Sequence, residues 1–347
     1  MMDGDRLPNA YISGTGAYFP PRIVKNDDFV TDFGVDTSDE WITKRTGIKE
    51  RRFVEPGVTC SDLAVPASEQ ALEAAGLDKT DLDMIIFATL SPDIGFPGSG
   101  VFLQRKLGLC DAGHFIPAMD VRTQCTGFIY SLTTAASFVR SGGAKHILVV
   151  GAETHSVGMD ISTRGRAVCT LFGDGAGAAI VSPTDEDKGI RNWTLGADGR
   201  HTDKLYQAVW DMRRRPYIPQ DENGVGQVPP EMLWPQMNGR HVFKHAVERM
   251  ITCLMQSCWD QKIDINDIDL FFFHQANMRI NQYVSQQLNI PDEKMFHNIH
   301  KYGNTTAATI PTLLDEAIRT DRLKSGMKVA MVAFGSGFTW GSIIADW

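Results

Sequence analysis

The fold is decided by two stretches that align without a gap: Leu77-Asp-Lys-Thr-Asp-Leu-Asp-Met-Ile-Ile-Phe-Ala-Thr89 and Ile263-Asp-Ile-Asn-Asp-Ile-Asp-Leu-Phe-Phe-Phe-His-Gln275. Each is an acidic turn followed by a continuous apolar run. Such a run is typical of a strand that is buried on both faces of its sheet. The repeat predicts that the chain contains two copies of one structural unit.

Further matches extend this duplication along the chain. Residues 125–140 match 304–319, residues 140–150 match 324–332, and small-residue turns before a final strand occur at 173–181 and 335–344. The same order of strand, helix and strand in both halves predicts two related α/β units. Right-handed crossovers place helices on both faces of each sheet, so helices are expected between the packed units. We expect the halves to span 1–185 and 186–347.

A cysteine lies at the start of a predicted helix, in Asp120-Val-Arg-Thr-Gln-Cys125-Thr-Gly-Phe-Ile-Tyr-Ser-Leu. Unpaired amides and a partial positive charge at a helix N-terminus stabilise a thiolate, which is the nucleophilic form. His274 and Asn304 follow in the second half, and in the match of 125–140 with 304–319 Asn304 aligns with Cys125. A Cys, a His and an Asn in such settings favour covalent chemistry on an acyl group. The alternatives are an inert buried cysteine, a core histidine and a helix N-cap asparagine.

The composition excludes several classes of protein. The 347 residues are 43% hydrophobic and 22% charged, which is ordinary for a globular chain with two core-forming units. A net charge of -8 argues against nucleic-acid binding. No apolar run approaches the ~20 residues of a membrane span, and the N-terminus lacks a signal peptide's apolar stretch, so a cytoplasmic protein is expected. The six cysteines form no C-x-x-C pair, which argues against a zinc site, and nothing in the sequence indicates secretion, which argues against a disulfide framework.

A different composition marks the region between the halves, about 198–240. It is rich in Pro, Gly, Trp and charge, and a loop of this length inside a compact domain is usually functional or disordered. Arg213–Arg215, beside Trp210 and Tyr217, could attract phosphates or an acidic carrier. A solvated excursion explains the same composition equally well.

Several long motifs occur in one order from end to end. They are Asp39-Glu-Trp-Ile-Thr-Lys-Arg-Thr-Gly-Ile-Lys-Glu-Arg51, the Cys125 segment, Phe172-Gly-Asp-Gly-Ala-Gly-Ala178, His274-Gln-Ala-Asn-Met-Arg-Ile280, Gly303-Asn-Thr-Thr-Ala-Ala308 and Ala333-Phe-Gly-Ser-Gly-Phe-Thr-Trp-Gly341. In these motifs the chain resembles β-ketoacyl-acyl-carrier-protein synthase III, a condensing enzyme of the thiolase superfamily. The resemblance implies an α/β, duplicated thiolase-like fold with five layers, α-β-α-β-α, and a homodimer.

The resemblance also implies catalytic roles. Cys125 would be acylated by an acyl thioester and then attacked by a carbanion. His274 and Asn304 would hold the carbonyl oxygen of a malonyl thioester, on which negative charge develops when carbon dioxide leaves. The backbone amides of Cys125 and Ser336 would bind the oxygen of the acyl-cysteine. Ser336 stands where relatives often have Gly, so its Cβ could alter the conformation of the turn.

Binding roles follow from the same resemblance. Trp41 and Arg166 would sandwich the adenine of coenzyme A, and Arg45 would meet its phosphates. The coenzyme A thioester would be a substrate, and no permanently bound cofactor is implied.

Three further residues are assigned by the resemblance to contacts between chains. Lys244 and Arg279 would receive the acyl carrier protein. Phe96, in Gly95-Phe96-Pro97, would close the acyl pocket across the dimer interface. Ordinary surface charge and core packing are the alternatives for these residues.

The expected function is decarboxylative Claisen condensation of an acyl-CoA with malonyl-acyl-carrier protein, which initiates fatty acid synthesis. A second hypothesis is a related condensing enzyme or acyltransferase of specialised metabolism that takes a medium or long acyl donor. The 198–240 region and the altered neighbourhood of Phe96 motivate it. A third is a non-catalytic acyl or coenzyme A binding protein, which would not need Cys125, His274 and Asn304 together.

Overall fold

The computed structural model describes residues 8–209, 211–216 and 218–347, so Trp210 and Tyr217 lie outside the described residues. The strands are β1 (Asn9–Tyr18), β2 (Arg22–Lys25), β3 (Glu50–Phe53), β4 (Met84–Ala88), β5 (Ala118–Val121), β6 (Ile147–Glu153), β7 (Gly175–Thr184), β8 (Gly189–Ala197), β9 (Leu205–Tyr206), β10 (Gln236–Met237), β11 (Leu270–Phe273), β12 (Lys328–Gly335) and β13 (Thr339–Asp346). The α-helices are α1 (Asp28–Thr31), α2 (Asp39–Thr46), α3 (Cys60–Ala75), α4 (Ser99–Lys106), α5 (Gly127–Arg140), α6 (Arg166–Cys169), α7 (Pro230–Leu233), α8 (Gly239–Gln261), α9 (Met278–Gln287), α10 (Ile299–Tyr302) and α11 (Thr309–Arg319).

The two large sheets have the same strand order. The first runs β1-β7-β6-β4-β5 and the second, in the corresponding direction, β8-β13-β12-β11. In each, the strand after the acidic turn is parallel to its inner neighbour, and the next two pairings are antiparallel. The repeated topology confirms the predicted duplication. Along the chain, β7 is the last strand of the first sheet and β8 is the first strand of the second. We therefore propose that the boundary between the halves lies between β7 and β8.

The acidic turns agree in detail. Short 3-10 helices, Lys79–Asp81 and Ile265–Asp267, precede β4 and β11. Asp78 accepts a hydrogen bond from the amide of Thr80, and Asp264 accepts one from the amide of Asn266, each at 2.9 Å. These caps satisfy amides that have no partner at the start of a helical turn.

Five layers result from the packing of helices on the sheets. Helix α3 covers the outer face of the first sheet, α8 and α9 cover the outer face of the second, and α5 and α11 lie between the sheets. Apolar clusters fill each boundary, and the largest surrounds α5 and α11. This arrangement confirms the predicted five-layered fold.

The two central helices, α5 and α11, begin in turns of the same conformation. These turns show which residues of the two halves are equivalent, and the result differs from the sequence alignment. A 3-10 turn, Gln124–Thr126, leads into α5, and another, Thr306–Ala308, leads into α11. The first residue of each turn has a φ of 49°. Counting from these residues, Cys125 is equivalent to Ala307. Its pairing with Asn304 was therefore wrong by three residues, because alignment of small residues cannot detect backbone conformation.

The two ends of the 198–240 region lie close together, next to the second sheet. Strands β9 and β10 pair, and the amide of Asn238 donates to the carbonyl of Lys204 at 2.8 Å. The intervening segment is largely exposed, and Arg213 forms an ion pair with Asp211. The paired strands hold the two ends of the region together, and the exposed segment between them is consistent with a solvated excursion.

Within the described part of the chain, every helix is too short or too polar to serve as a membrane span.

Candidate active site

The predicted catalytic residues Cys125, His274 and Asn304 line one pocket. Its free volume is about 750 Å³, including the space that opens to solvent. Apolar side chains form most of the remaining wall: Leu171, Phe172, Leu205, Met237, Val242, Phe243, Ala246, Met250, Ile280 and Phe334. Such a wall suits an acyl chain or the apolar part of a thioester. Leu205 and Met237 belong to the base of the 198–240 region, so that region helps to build the pocket.

Cys125 lies in the 3-10 turn before α5, and only 9% of it is exposed. Burial, followed by the charge of Glu153, raises the pKa of its thiol to about 12. The amides of Ser336 and Cys125 and the hydroxyl of Thr306 oppose this effect by hydrogen bonding. Desolvation thus opposes the stabilisation of the thiolate that is expected at a helix N-terminus.

The C-terminal turn approaches Cys125 closely. A Cβ added to Gly335 would lie 2.7 Å from Cβ of Cys125, so only glycine fits at this position. Ser336 has an ordinary negative φ, and its hydroxyl donates to the carbonyl of Leu205. Its Cβ thus leaves the turn intact, and its amide reaches the Cys125 thiol together with the amide of Cys125. Both amides that were predicted to form an oxyanion hole thus reach the same thiol.

His274 follows the end of β11, where its amide donates to the carbonyl of Val332 at 2.8 Å. The ring is 2% exposed, and burial lowers its pKa to about 3, so the imidazole is neutral. Nδ1 lies 2.7 Å from the hydroxyl of Thr309, whereas Nε2 is buried without a hydrogen-bond partner. A buried polar atom without a partner is costly. Nε2 is therefore available to a substrate atom in the pocket.

Asn304 is held by both its backbone and its side chain. Its amide donates to the carbonyl of Leu171 at 2.9 Å, and its Oδ1 accepts from the amide of Thr306 at 2.8 Å. With Oδ1 used in this way, the Nδ2 group is the part left to donate into the pocket. The residue caps the following turn and lines the site at once.

The sequence did not reveal the residues that support these groups. The Thr309 hydroxyl lies 3.0 Å from the carbonyl of Thr306, and the Thr306 hydroxyl lies 2.6 Å from Nε2 of His155. The only signal for Thr309 was its position at the start of α11, and a threonine there is common in any helix.

The predicted coenzyme A residues come together on α2 and α6. The guanidinium of Arg45 lies 4.3 Å from the ring centroid of Trp41, and that of Arg166 lies 5.4 Å from it. Arg166 also donates to the carbonyl of Asp36. A flat base between Trp41 and Arg166 needs about 7 Å, two van der Waals spacings, so Arg166 would have to move to admit adenine. Nδ2 of Asn277 donates to the carbonyl of Arg45 at 2.9 Å, which joins this group to the pocket wall.

The remaining predicted residues lie apart from the catalytic group. Lys244 on α8 and Arg279 on α9 are exposed, on helices that pack together beside the pocket. Phe96 is 87% exposed and does not line the pocket of its own chain.

Comparisons with known proteins agree with this geometry. Residues 119–199 match the model of 3-oxoacyl-[acyl-carrier-protein] synthase III, and residues 258–347 match the model of its C-terminal part. The β-ketoacyl-[acyl-carrier-protein] synthase III of Caldanaerobacter subterraneus is 42% identical over 338 residues, 97% of this chain and 98% of that protein. The chain belongs to the β-ketoacyl-[acyl-carrier-protein] synthase III family. It is therefore a condensing acyltransferase.

Solved structures of synthase III relatives have the same fold. The 3-oxoacyl-[acyl-carrier-protein] synthase III of Aquifex aeolicus superposes with a TM-score of 0.85 at 38% identity, over 97% of this chain and 100% of that chain. The priming β-ketosynthase of the R1128 polyketide biosynthetic pathway also gives a TM-score of 0.85, at 30% identity, over 99% of this chain and 98% of that chain.

Proposed function

We propose that this synthase III condenses an acyl-CoA primer with malonyl-acyl-carrier protein, initiating fatty acid synthesis, through a covalent acyl-Cys125 intermediate. The observation that carries the proposal is that Cys125, His274 and Asn304 line one pocket. In it, Nε2 of His274 has no hydrogen-bond partner, and Nδ2 of Asn304 is left to donate because Oδ1 is bound to the amide of Thr306. Coenzyme A enters as part of the substrate, and no permanently bound cofactor is required. A cytoplasmic location belongs to the same proposal.

Acylation forms a bond between Sγ of Cys125 and the carbonyl carbon of the primer, and breaks the bond to coenzyme A. Since burial raises the pKa of Cys125 to about 12, the thiol must lose its proton as the bond forms. As the bond forms, this proton passes to the sulfur of the departing coenzyme A, which leaves as a free thiol, while the His274 ring stays neutral. The amides of Cys125 and Ser336 receive the negative charge on the carbonyl oxygen.

Condensation starts with the loss of carbon dioxide from the malonyl group. The carbon–carbon bond to the carboxylate breaks, and its electrons form an enolate whose oxygen is held by His274 and Asn304. For this step Nε2 must carry the proton, so the Thr309 hydroxyl must donate to Nδ1 instead of to the carbonyl of Thr306. The enolate carbon then attacks the acyl-Cys125 carbonyl, the carbon–sulfur bond breaks, and the Cys125 thiolate takes up one proton from solvent.

Assembly of two chains completes the proposal. Strand β5 is the free edge of the first sheet and pairs only with β4 among the described strands. Exposed apolar side chains lie on nearby segments: Ile94, Phe96, Val101 and Phe115. A free strand edge and an apolar patch favour burial against another protein surface. A homodimer formed there would bring Phe96 of one chain to the acyl pocket of its partner.

Lys244 and Arg279 supply the proposed contact with the carrier protein. Both cations are exposed on helices that border the pocket, where an acidic carrier can dock while its thioester reaches Cys125. Such exposed charges contribute mainly to the rate of encounter.

A second candidate is a priming synthase of specialised metabolism with a medium or long donor. The similarity to a polyketide priming β-ketosynthase supports it, as does the contribution of Leu205 and Met237 from the 198–240 region to the pocket wall. Both candidates use the same catalytic groups and differ in the acyl chain.

Intact-protein mass spectrometry after incubation with acyl-CoAs of short, branched, medium and long chains tests both. We expect a mass increase of one acyl group, absent in Cys125→Ser. Adducts from acetyl or short branched donors favour initiation of fatty acid synthesis, and adducts only from medium or long donors favour the second candidate. No adduct from any donor would overturn the covalent mechanism.

A further inference from the structure

Three of the nine histidines of the chain form a cluster outside the catalytic pocket. This histidine cluster consists of His201, in the 3-10 turn after β8, and His241 and His245, in the first turns of α8. The helical pair is separated by four residues and therefore projects from one face of α8. His201 reaches this face from a segment 40 residues earlier in the chain.

The spacing of the ring nitrogens suits a metal ion. One ligand atom from each residue can be chosen so that all three lie within 4.8 Å of one another. Nδ1 of His201 lies 3.1 Å from Nε2 of His241. Two nitrogens bound tetrahedrally to Zn²⁺, each at about 2.0–2.1 Å, are about 3.3 Å apart. The ring centroid of His245 lies 4.5 Å from those of both other histidines, so this ring borders the same space.

Carboxylates lie on the far side of two of the rings. Oδ2 of Asp198 is 3.6 Å from Nε2 of His201, and Oε2 of Glu248 is 3.9 Å from Nδ1 of His245. A histidine that binds a metal usually directs its other nitrogen to a carboxylate or carbonyl, which fixes the ring and increases its basicity. The side chains of His201 and His245 are 15% and 16% exposed, so an ion from solvent can reach them.

A rigid apolar surface supports the rings. Phe338 is buried, and its ring centroid lies 4.9 Å from His201, 5.9 Å from His241 and 5.6 Å from His245. Contact with Phe338, on which His201 stacks and toward which His241 and His245 are tilted, explains why the three rings lie together. This contact does not explain why ring nitrogens of different histidines lie close together, or why carboxylates lie beside the outer nitrogens of His201 and His245.

We propose that His201, His241 and His245 bind one divalent transition-metal ion, Zn²⁺ in the first instance, with solvent as the fourth ligand. Three imidazoles, one from a 3-10 turn and two from a helix, form a donor set that Zn²⁺ prefers and that Mg²⁺ and Ca²⁺ do not. The role is structural, because the ion would lie outside the pocket that contains Cys125.

The ion would join the two ends of the 198–240 region. His201 precedes β9 and His241 follows β10, and between them Leu205 and Met237 contribute to the pocket wall. The following residues of α8, Val242 and Ala246, line the same pocket. Metal binding would therefore hold the wall of the acyl pocket to the start of α8 and reduce local opening there.

The test uses the untagged full-length chain, stripped of metal with a chelator and titrated with Co²⁺ and then Zn²⁺. We expect one equivalent of Co²⁺ to give the visible absorption of a tetrahedral site, and Zn²⁺ to displace it. Zn²⁺ should raise the midpoint of thermal unfolding of the wild-type protein. His241→Ala and His201→Asn, on separate elements, should each weaken binding by more than about 100-fold.

The matched control is His146→Gln, because His146 lies outside the cluster and bonds the hydroxyl of Ser182. It should bind Co²⁺ as the wild-type protein does. If one cluster variant does not fold, the other still decides the outcome. The proposal is overturned if the wild-type chain takes up no stoichiometric Co²⁺ or Zn²⁺, or if a folded cluster variant binds the ion with unchanged affinity.

Discussion

The two turns that start the central helices share a backbone and differ in chemistry. Gln124–Thr126 before α5 and Thr306–Ala308 before α11 are both 3-10 turns whose first residue has a φ of 49°. A positive φ is strained for residues other than glycine, so its repetition marks a conformation that each half retains. The first turn carries the thiol at its second position, and the second turn carries Ala307 there.

The contact beneath each turn differs in the same way. In the first half, a Cβ added to Gly127 would lie 2.8 Å from Cβ of Ala88. The equivalent residues of the second half are Thr309 and His274, whose side chains form a hydrogen bond of 2.7 Å. In the first half the strand and the helix approach closely through Ala88 and Gly127. In the second half the larger side chains of His274 and Thr309 occupy the equivalent space. A duplicated backbone can thus supply a nucleophile from one copy and hydrogen-bond donors from the other.

The largest effect is expected when the first turn loses its thiol. Cys125→Ala should lower the rate of condensation by more than about 10⁴-fold, because no acyl-enzyme can form. Decarboxylation of malonyl-carrier protein should remain measurable, since His274 and Asn304 are untouched. Release of carbon dioxide and formation of the ketoacyl product are assayed separately, with Cys169→Ala as the control for loss of a buried thiol. Condensation at the wild-type rate would remove Cys125 from its assigned role.

The second turn is tested by separating the two functions of Asn304. Asn304→Asp keeps the oxygen that accepts from Thr306 and removes the amide donor, whereas Asn304→Ala removes both. We expect both to slow decarboxylation by about 10²–10³-fold, as for loss of one oxyanion donor. Asn304→Ala should also lower the midpoint of thermal unfolding by more than Asn304→Asp does. Full decarboxylation activity in Asn304→Asp would show that the residue serves only as a cap.

The pKa of Cys125 distinguishes desolvation from the effect of the helix N-terminus. With a pKa of about 12, the thiolate fraction rises tenfold with each pH unit throughout the range in which the protein is assayed. The rate of alkylation by iodoacetamide should therefore increase about 100-fold from pH 7 to pH 9 without reaching a plateau. Cys125→Ser provides the background from other thiols. A plateau below pH 8 would mean that the turn lowers the pKa more than burial raises it.

The smallest effect concerns the polar pair beneath the second turn. Thr309→Val should slow decarboxylation by about five- to tenfold, the value of one net hydrogen bond, because it removes the group that fixes Nδ1 of His274. Thr312→Val is the matched control, since Thr312 lies in α11 and bonds only backbone carbonyls. The effect should appear in kcat with little change in KM. Equal losses in the two variants would indicate helix packing and leave His274 without this support.

Local patterns predicted much of the molecule. The continuous apolar runs in residues 77–89 and 263–275 predicted both buried strands, and the acidic residues before them predicted the turns, which Asp78 and Asp264 cap. The segment around Cys125 predicted a helix, which the structure confirms as α5, and a 3-10 turn leads into it. Such features depend on residues close together in the chain, so sequence is sufficient for them.

Tertiary structure decided the chemistry of those elements. The pKa of Cys125 depends on how deeply distant segments bury it, and the closeness of Arg166 to Trp41 depends on the relation of α2 to α6. The His241 and His245 spacing was visible in the sequence as a helical pair, but the third member of the cluster comes from 40 residues away. Sequence patterns determine where helices and strands form. The desolvation of a side chain, and the approach of side chains from distant segments to one another, depend on remote parts of the chain and arise only when the chain has folded.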